Sequence, residues 1–245
     1  MPAPLHAPVP GLLGVLGGMG PLATADFMHK LVQATPAAVD QDHVPLLVSS
    51  IPQVPDRSAA FRGEGVSPLA AMVDSGRRLV RAGAGLLVMP CNTAHLWFDD
   101  VRQALGVPML HLVDAAIADA IAAADTDARI GLLATETTLA SGLYVGRTPP
   151  GALHWVLPTV AEMADWVTPG IAAVKAGRLA RGGELLMLAA QALARRGASA
   201  LVLGCTEIPI VLDAARSPLP VIDATAALAR RCVAWSQAER ALQPA

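Results

Sequence analysis

The chain has 245 residues, of which 53% are hydrophobic, 16% charged and only 3% aromatic, with a formal net charge of −2. That balance excludes disorder as a bulk description, and without a basic stripe it gives no electrostatic support for a nucleic-acid or membrane-surface partner. A core so poor in aromatics must be built from Ala, Val, Leu and Ile, which suits helices laid on a buried sheet.

The opening "MPAPLHAPVPG" has no basic n-region and carries four prolines, so it reads as a loose leader rather than a targeting signal. No uninterrupted apolar run reaches membrane-spanning length. Three cysteines do not make a disulfide scaffold, and a reduced, cytoplasmic protein is the simple expectation. Any special cysteine is then special as a thiol.

From there, short apolar runs alternate with helical periodicity. "GLLGVLGG" predicts a buried strand and turn, and "PLATADFMHKLVQAT" a helix with Pro21 in its first turn. "VPLLVSSI" predicts a strand and "PQVPDRSAAFRGEG" a long loop. "PLAAMVDSGRRLVRAG" predicts a helix stopped by Gly83, "GLLVMP" a strand, "AHLWFDDVRQALG" a helix and "VPMLHLV" another strand. Buried strands alternating with amphipathic helices imply α/β architecture with parallel, doubly wound sheets.

The second half repeats the first. "GVLGGMGPLATADF" from Gly14 lies on "GLLATETTLASGLY" from Gly131, and "GAGLLVMPC" from Gly83 on "GASALVLGC" from Gly197. First strand to cysteine is 91 − 14 = 77 residues in one half and 205 − 131 = 74 in the other. Each cysteine is followed by a Pro-bearing strand and an Asp, Asp114 and Asp223. Such agreement in one order indicates an internal duplication and two pseudo-symmetric lobes. Ligands of open parallel sheets sit beyond the carboxyl ends of the strands, so facing lobes share one cleft. Cys91 and Cys205 would enter it from opposite sides.

A thiol opposite a thiol suits proton transfer with inversion: one sulfur removes a proton from carbon and the other returns one to the opposite face. Both cysteines stand where a strand hands over to a turn, where backbone N–H groups favour a thiolate. A single strand-end Cys is ordinarily a small buried hydrophobe; two matched copies, each trailed by Thr, favour chemistry. Cys232, inside "ALARRCVAWSQ", lacks that setting and reads as helix packing. Arg57 offers a planar fork for a carboxylate, or is a solvated loop residue. Lys175, on its own residues, reads as a helix-end cation complementing the dipole. Thr135 and Thr138 sit in the second lobe's first turn, as substrate contacts or as helix N-caps. Asp114 and Asp223 read as N-caps, and His111 as packing or hydrogen bonding near the lobe junction. His95 lies four residues after Cys91; no further ligands at suitable spacing make it a metal site, and it reads as support or packing.

Taken in this order, "GGMGP", "PCNTAH" and "GCTEIP" resemble the aspartate/glutamate racemase family, and "PQVPDR" and "LHLVDA" resemble its aspartate branch. The likeness runs from Gly14 to about Asp223. Glutamate racemases usually carry His after the second Cys-Thr, where this chain has Glu207. Arylmalonate decarboxylases, of the same superfamily, lack the first cysteine that this chain keeps.

The resemblance implies racemisation of aspartate without pyridoxal phosphate or any other cofactor or metal, Cys91 and Cys205 serving as the two bases. It implies that Arg57 and a Lys from the other lobe, here Lys175, bind the side-chain carboxylate. Met19, Gly20, Gln53, Asn92, Thr93, Ala94, Thr135, Thr138, Thr206 and Glu207 would complete the substrate site. It also implies two crossovers, so that lobe one comprises residues 1–105 plus 217–245 and lobe two 106–216, and relatives of this kind are commonly homodimers. The partner expected is a small amino acid. Glutamate or broad-specificity racemisation, a maleate-isomerase-like reaction, and an amino-acid sensor remain alternatives.

Overall fold

The computed structural model describes residues 9–125 and 127–242; most of the expected leader falls outside the described residues. It contains two parallel sheets. The first has strand order β2-β1-β3, from β1 (Leu13–Gly17), β2 (Leu46–Ser50) and β3 (Leu86–Val88). The second has order β5-β4-β6-β7, from β4 (Arg129–Ala134), β5 (His154–Val156), β6 (Ala200–Gly204) and β7 (Val221–Asp223). A single parallel bridge, Leu87 to Met109, adds a fourth position beyond β3 where the second sheet has β7.

The duplication is visible in the register. Gly14 pairs with Leu87 and Gly131 with Leu201, equivalent partners in the two halves. Both glycines are required by close packing. A Cβ at Gly14 would come within 2.3 Å of Leu87 Cδ2 and 2.8 Å of Ala84 Cβ. One at Gly131 would come within 2.6 Å of Leu201 Cδ2 and 3.4 Å of Ala198 Cβ.

The strand period of two sorts side chains onto three apolar layers. Leu13, Val15, Leu86, Val88, Ile130, Leu132 and Val202 face a central core. That core is filled by α1 (Pro21–Ala34), α5 (Leu112–Ala123) and α10 (Ala224–Ala241). Leu16, Leu87, Met89 and Cys91 face outward under α3 (Leu69–Arg81) and α4 (Phe98–Leu105). Leu133, Leu201, Leu203 and Cys205 face outward under α8 (Thr168–Lys175) and α9 (Leu179–Arg195). Helix α10 packs against both α1 and α5, and α5 against β6 and β7, so one core is shared by both sheets.

Local readings hold in most elements and fail in three. The loop "PQVPDRSAAFRGEG" contains the short helix α2 (Arg57–Phe61), started by Asp56 Oδ1 accepting the Ala59 N–H at 2.7 Å. The strand expected over "VPMLHLV" shrinks to the bridge at Met109, because the helix claims Leu112 and Val113 as core residues. Asp114 is therefore not an N-cap: His111 caps α5 through Nδ1, which accepts the Asp114 N–H at 3.3 Å, and Asp114 instead pairs with Arg147. Asp223 does cap α10, accepting from Thr225 and Ala226 N–H at 2.8 and 3.1 Å. Cys232 is fully buried in the central core. Among the described residues, no helix is long and apolar enough to cross a membrane.

Candidate active site

The ends of β1, β3, β4 and β6 deliver Met19, the two cysteines with the residues after them, and Thr135, as expected for open parallel sheets, while Arg57 comes from the start of α2 and Lys175 from the end of α8. After β1 the chain turns through Gly18, whose N–H donates to Thr24 Oγ1 at 2.8 Å; that hydroxyl donates to the Gly20 carbonyl at 2.9 Å. Met19 is buried in the same apolar cluster as Cys91 and lines the same cavity.

Cys91 and Cys205 line one cavity together with Met19, Arg57, Asn92, Thr93, Thr135, Lys175, Thr206 and Glu207. The cavity volume is about 20 Å³, room for little more than one water. Asp56, Arg57, Lys175 and Glu207 also line an adjoining outer chamber of about 530 Å³, to which Gly20 belongs. Both thiols are nearly sealed, 6% and 4% exposed.

The two thiols differ in surroundings. Cys205 Sγ–H donates to Glu207 Oε2 at 3.1 Å. Burial first, and the Glu207 charge second, push the Cys205 thiol well above its ordinary pKa, while Lys175 opposes them. The thiolate favoured at this strand end on local grounds is therefore not the resting form of Cys205: desolvation outweighs the backbone N–H donors. On the other side, His95 Nδ1–H donates to the Cys91 carbonyl at 2.9 Å, and His95 Nε2 accepts the Leu112 N–H at 3.0 Å. Both ring nitrogens are thus used within the protein. Burial, then the neighbouring His111, pulls the His95 pKa down to about 3, so the ring is neutral. It stacks on Phe98 with a 5.4 Å centroid separation and supports the turn after Cys91. Among the described residues there is no cluster of His, Cys, Asp and Glu that could hold a metal ion.

Three side-chain hydrogen bonds here cross between the halves. Thr93 Oγ1 lies 3.1 Å from Thr135 Oγ1 and 3.0 Å from Thr138 Oγ1, and Thr135 Oγ1 lies 2.9 Å from Thr138 Oγ1, closing a ring of three hydroxyls. Thr135 also caps α6 (Glu136–Ala140), accepting the Thr138 N–H. The cap reading therefore holds for Thr135, which also lines the cavity. Tyr144 Oη donates to Asn92 Oδ1 at 2.6 Å.

At the rim, Arg57 Nη1 donates to the carbonyls of Val54 and Pro55, at 3.2 and 3.1 Å. Its buried Nε has no partner among the described residues. Desolvation would lower the Lys175 ammonium, but Glu207, Cys205 and Cys91 outweigh it and hold the pKa above its ordinary value. Partial burial would raise the Asp56 carboxyl, but the Ala59 N–H, Arg57 and Lys175 hold it below the usual range.

Of the residues singled out in the sequence, Gln53 is exposed and lines neither space, and Ala94 is fully buried in the layer behind Cys91. Thr138 touches the cavity only through Thr93 and Thr135. Sequence reasoning missed Asp56 and Ser58 on the cavity wall and Tyr144 behind Asn92. Asp56 carried a signal, since Asp one residue before a helix is a strong start.

Parallel strands converging on paired thiols define a two-sheet α/β protein with a thiol-lined cavity between duplicated halves. Comparison with known proteins agrees with this architecture. The family model described as Asp/Glu/Hydantoin racemase matches residues 16–232. The structure titled Picrophilus torridus aspartate racemase superposes with a TM-score of 0.83 at 30% identity, covering 92% of this chain and 94% of that one. The broad specificity amino-acid racemase RacX of Bacillus subtilis is 28% identical over 232 residues, 91% of this chain and 96% of the relative. A glutamate racemase of Corynebacterium diphtheriae is 29% identical over 173 residues, 65% of this chain and 62% of the relative. The chain belongs to the Asp/Glu/hydantoin racemase family.

Proposed function

We propose that this protein interconverts L- and D-aspartate without a cofactor, by proton transfer between Cys91 and Cys205. The observation that carries the reading is that both sulfurs, from equivalent strand ends of a duplicated scaffold, wall one cavity. The name of the Picrophilus torridus neighbour supports the substrate.

In the resting protein Cys205 is the acid, its hydrogen directed at Glu207. Cys91, as thiolate, takes the α-proton of one enantiomer. The C–H electron pair moves into the α-carboxylate, giving an enediolate. Cys205 delivers its proton to the opposite face of the carbon, leaving Cys205 as thiolate and Cys91 as thiol. The mirror enantiomer runs the same steps backwards from that second state. The charge that develops on the carboxylate requires donors already in place, worth several kcal/mol in comparable oxyanion sites. Asn92 is one such donor, since its buried Nδ2 has no partner among the described residues. Arg57 and Lys175, shared by the inner cavity and the outer chamber, suit the second carboxylate.

One observation favours a second reading, a broader substrate range. The outer chamber, at about 530 Å³, has room beyond what an aspartate side chain fills, and RacX is described as having broad specificity.

The test is solvent-deuterium incorporation into enantiopure amino acids, with circular dichroism following inversion. Aspartate should invert and gain one α-deuterium, and Cys91→Ala and Cys205→Ala should each lose roughly 10²–10⁴-fold in rate. A rate near wild type in either variant ends the two-thiol scheme. Faster turnover of another amino acid would replace aspartate.

A further inference from the structure

We infer that Tyr144 is a positioning residue for the proposed racemisation: its hydroxyl fixes the Asn92 side chain with the NH₂ group, not the carbonyl, turned toward the substrate. The inference rests on the racemase reading and adds a residue outside the cavity wall.

Tyr144 and Asn92 are 1% and 3% exposed, and their contact, Oη to Oδ1 at 2.6 Å, spans the two halves. Asn92 Oδ1 is thereby satisfied, while Nδ2 is buried without a partner among the described residues, on a side chain that lines the cavity. An unpaired buried donor is unfavourable unless a ligand meets it. The opposite amide orientation is worse. Asn92 Oδ1 is the Tyr144 hydroxyl's sole acceptor among the described residues. Turning the amide around would leave that hydroxyl hydrogen buried and unaccepted. Burial, ahead of the nearby Cys205 and Asp223, raises the Tyr144 pKa, so the hydrogen is retained.

The ring itself is held firmly. It meets Trp155 edge-on at 5.8 Å between centroids. It also lies against Gly204, where an added Cβ would come within 3.2 Å of Tyr144 Cε2. Gly204 directly precedes Cys205. Tyr144 therefore ties the turn after one thiol to the strand leading into the other.

The duplication isolates what the hydroxyl adds. Tyr144 is the counterpart of Phe27, since 144 − 131 = 27 − 14, and Asn92 is the counterpart of Thr206, since 92 − 91 = 206 − 205. Phe27 is equally buried but has no hydroxyl, and the counterpart of Asn92 on that side is a threonine. The hydroxyl and the amide occur together, on one side only. A donor oriented before the reaction stabilises charge that grows in the transition state without reorganising at that moment.

The test compares Tyr144→Phe, Asn92→Ala and the double variant with wild type in aspartate racemisation, with melting temperatures alongside. Tyr144→Phe keeps the ring and removes only the hydroxyl. The expected result is a fall in kcat of at least about tenfold with little change in KM, as for an interaction made in the transition state. In the Asn92→Ala background the same change should have no further effect. Asn92→Asp, which can still accept from Tyr144 but offers the substrate no hydrogen, should be as slow as Asn92→Ala. Unchanged kcat in Tyr144→Phe, additive losses in the double variant, or wild-type kcat in Asn92→Asp would each overturn the inference. If the wild-type protein racemises no amino acid, the racemase reading fails and takes this one with it; if it does and Tyr144→Phe matches it, only this one fails.

Discussion

The two cysteine turns began as copies and now solve different problems. After Cys91 the chain continues Asn-Thr-Ala-His, and the support comes from behind: a neutral His95 bridges the Cys91 carbonyl and the start of α5. After Cys205 it continues Thr-Glu, and the support comes from the front: a carboxylate accepts the thiol hydrogen itself. Duplication supplied equivalent backbones, down to the pairing of Gly14 with Leu87 and Gly131 with Leu201. The residues just beyond each cysteine supplied the difference in surroundings: a neutral imidazole behind one, a carboxylate on the thiol hydrogen of the other.

That contrast breaks most visibly in acid. His95 and His111 have their pKa values pulled down to about 3 and about 4. An unfolded histidine titrates near 6.5, so below that pH the unfolded chain binds protons that the folded one refuses. Stability is therefore unaffected by these groups above about pH 6.5. It is lost as pH falls toward 4, by up to about 1.4 kcal/mol per pH unit for each histidine. Denaturant unfolding between pH 4 and 8 should show this slope, and His95→Gln should flatten it; an identical slope in the variant would separate His95 from acid stability.

Glu207→Gln tests the other side. It should lower kcat/KM by roughly 10²-fold, in the range of a general acid–base contribution. Mirror-image amino acids have an equilibrium constant of unity, so both directions must fall by the same factor. Burial remains the larger cause of the raised Cys205 pKa, but removing the carboxylate charge should move the alkaline limb of the pH–rate profile to lower pH. A limb that stays in place would remove Glu207 from control of the thiol.

The scaffold comparison is sharpened by Gly14→Ala and Gly131→Ala. Each forces a methyl into packed side chains, at about 1–3 kcal/mol. The nearer contacts at Gly14, 2.3 Å against 2.6 Å, make it the costlier site. Equal melting temperatures in the two variants would contradict that order. The smallest effect is expected at Arg147→Ala. The Arg147–Asp114 pair, 2.5 Å but with side chains 38% and 50% exposed, should contribute no more than about 1 kcal/mol.

What the sequence made legible was whatever a short stretch carries alone. The apolar runs, the glycines at strand starts, the two cysteine turns and the Asp223 cap are local, and all are where the pattern put them. The two cysteines could be paired because duplication turned a long-range contact into a comparison of offsets. Tyr144 resisted the same treatment. Its offset partner is Phe27, an ordinary core residue, and the atom that distinguishes it meets Asn92 across 52 positions of chain. His111 displaced Asp114 as a cap because α5 begins three residues after the bridge at Met109, which periodicity could not separate from a strand. Gln53 shared a motif with Arg57 but lies in an exposed turn, where a neighbouring position says nothing about which way a side chain serves.

The ring of Thr93, Thr135 and Thr138 has a consequence of its own. Three hydroxyls own three hydrogens, and closing the circle uses all of them. A group that drew the hydrogen from Thr135 would open the circle and leave Thr138 Oγ1 without its donor, whereas Thr135 Oγ1 keeps the Thr138 N–H if Thr93 turns away. The halves therefore meet through hydroxyls that also wall the inner cavity, Thr93 from one half and Thr135 from the other.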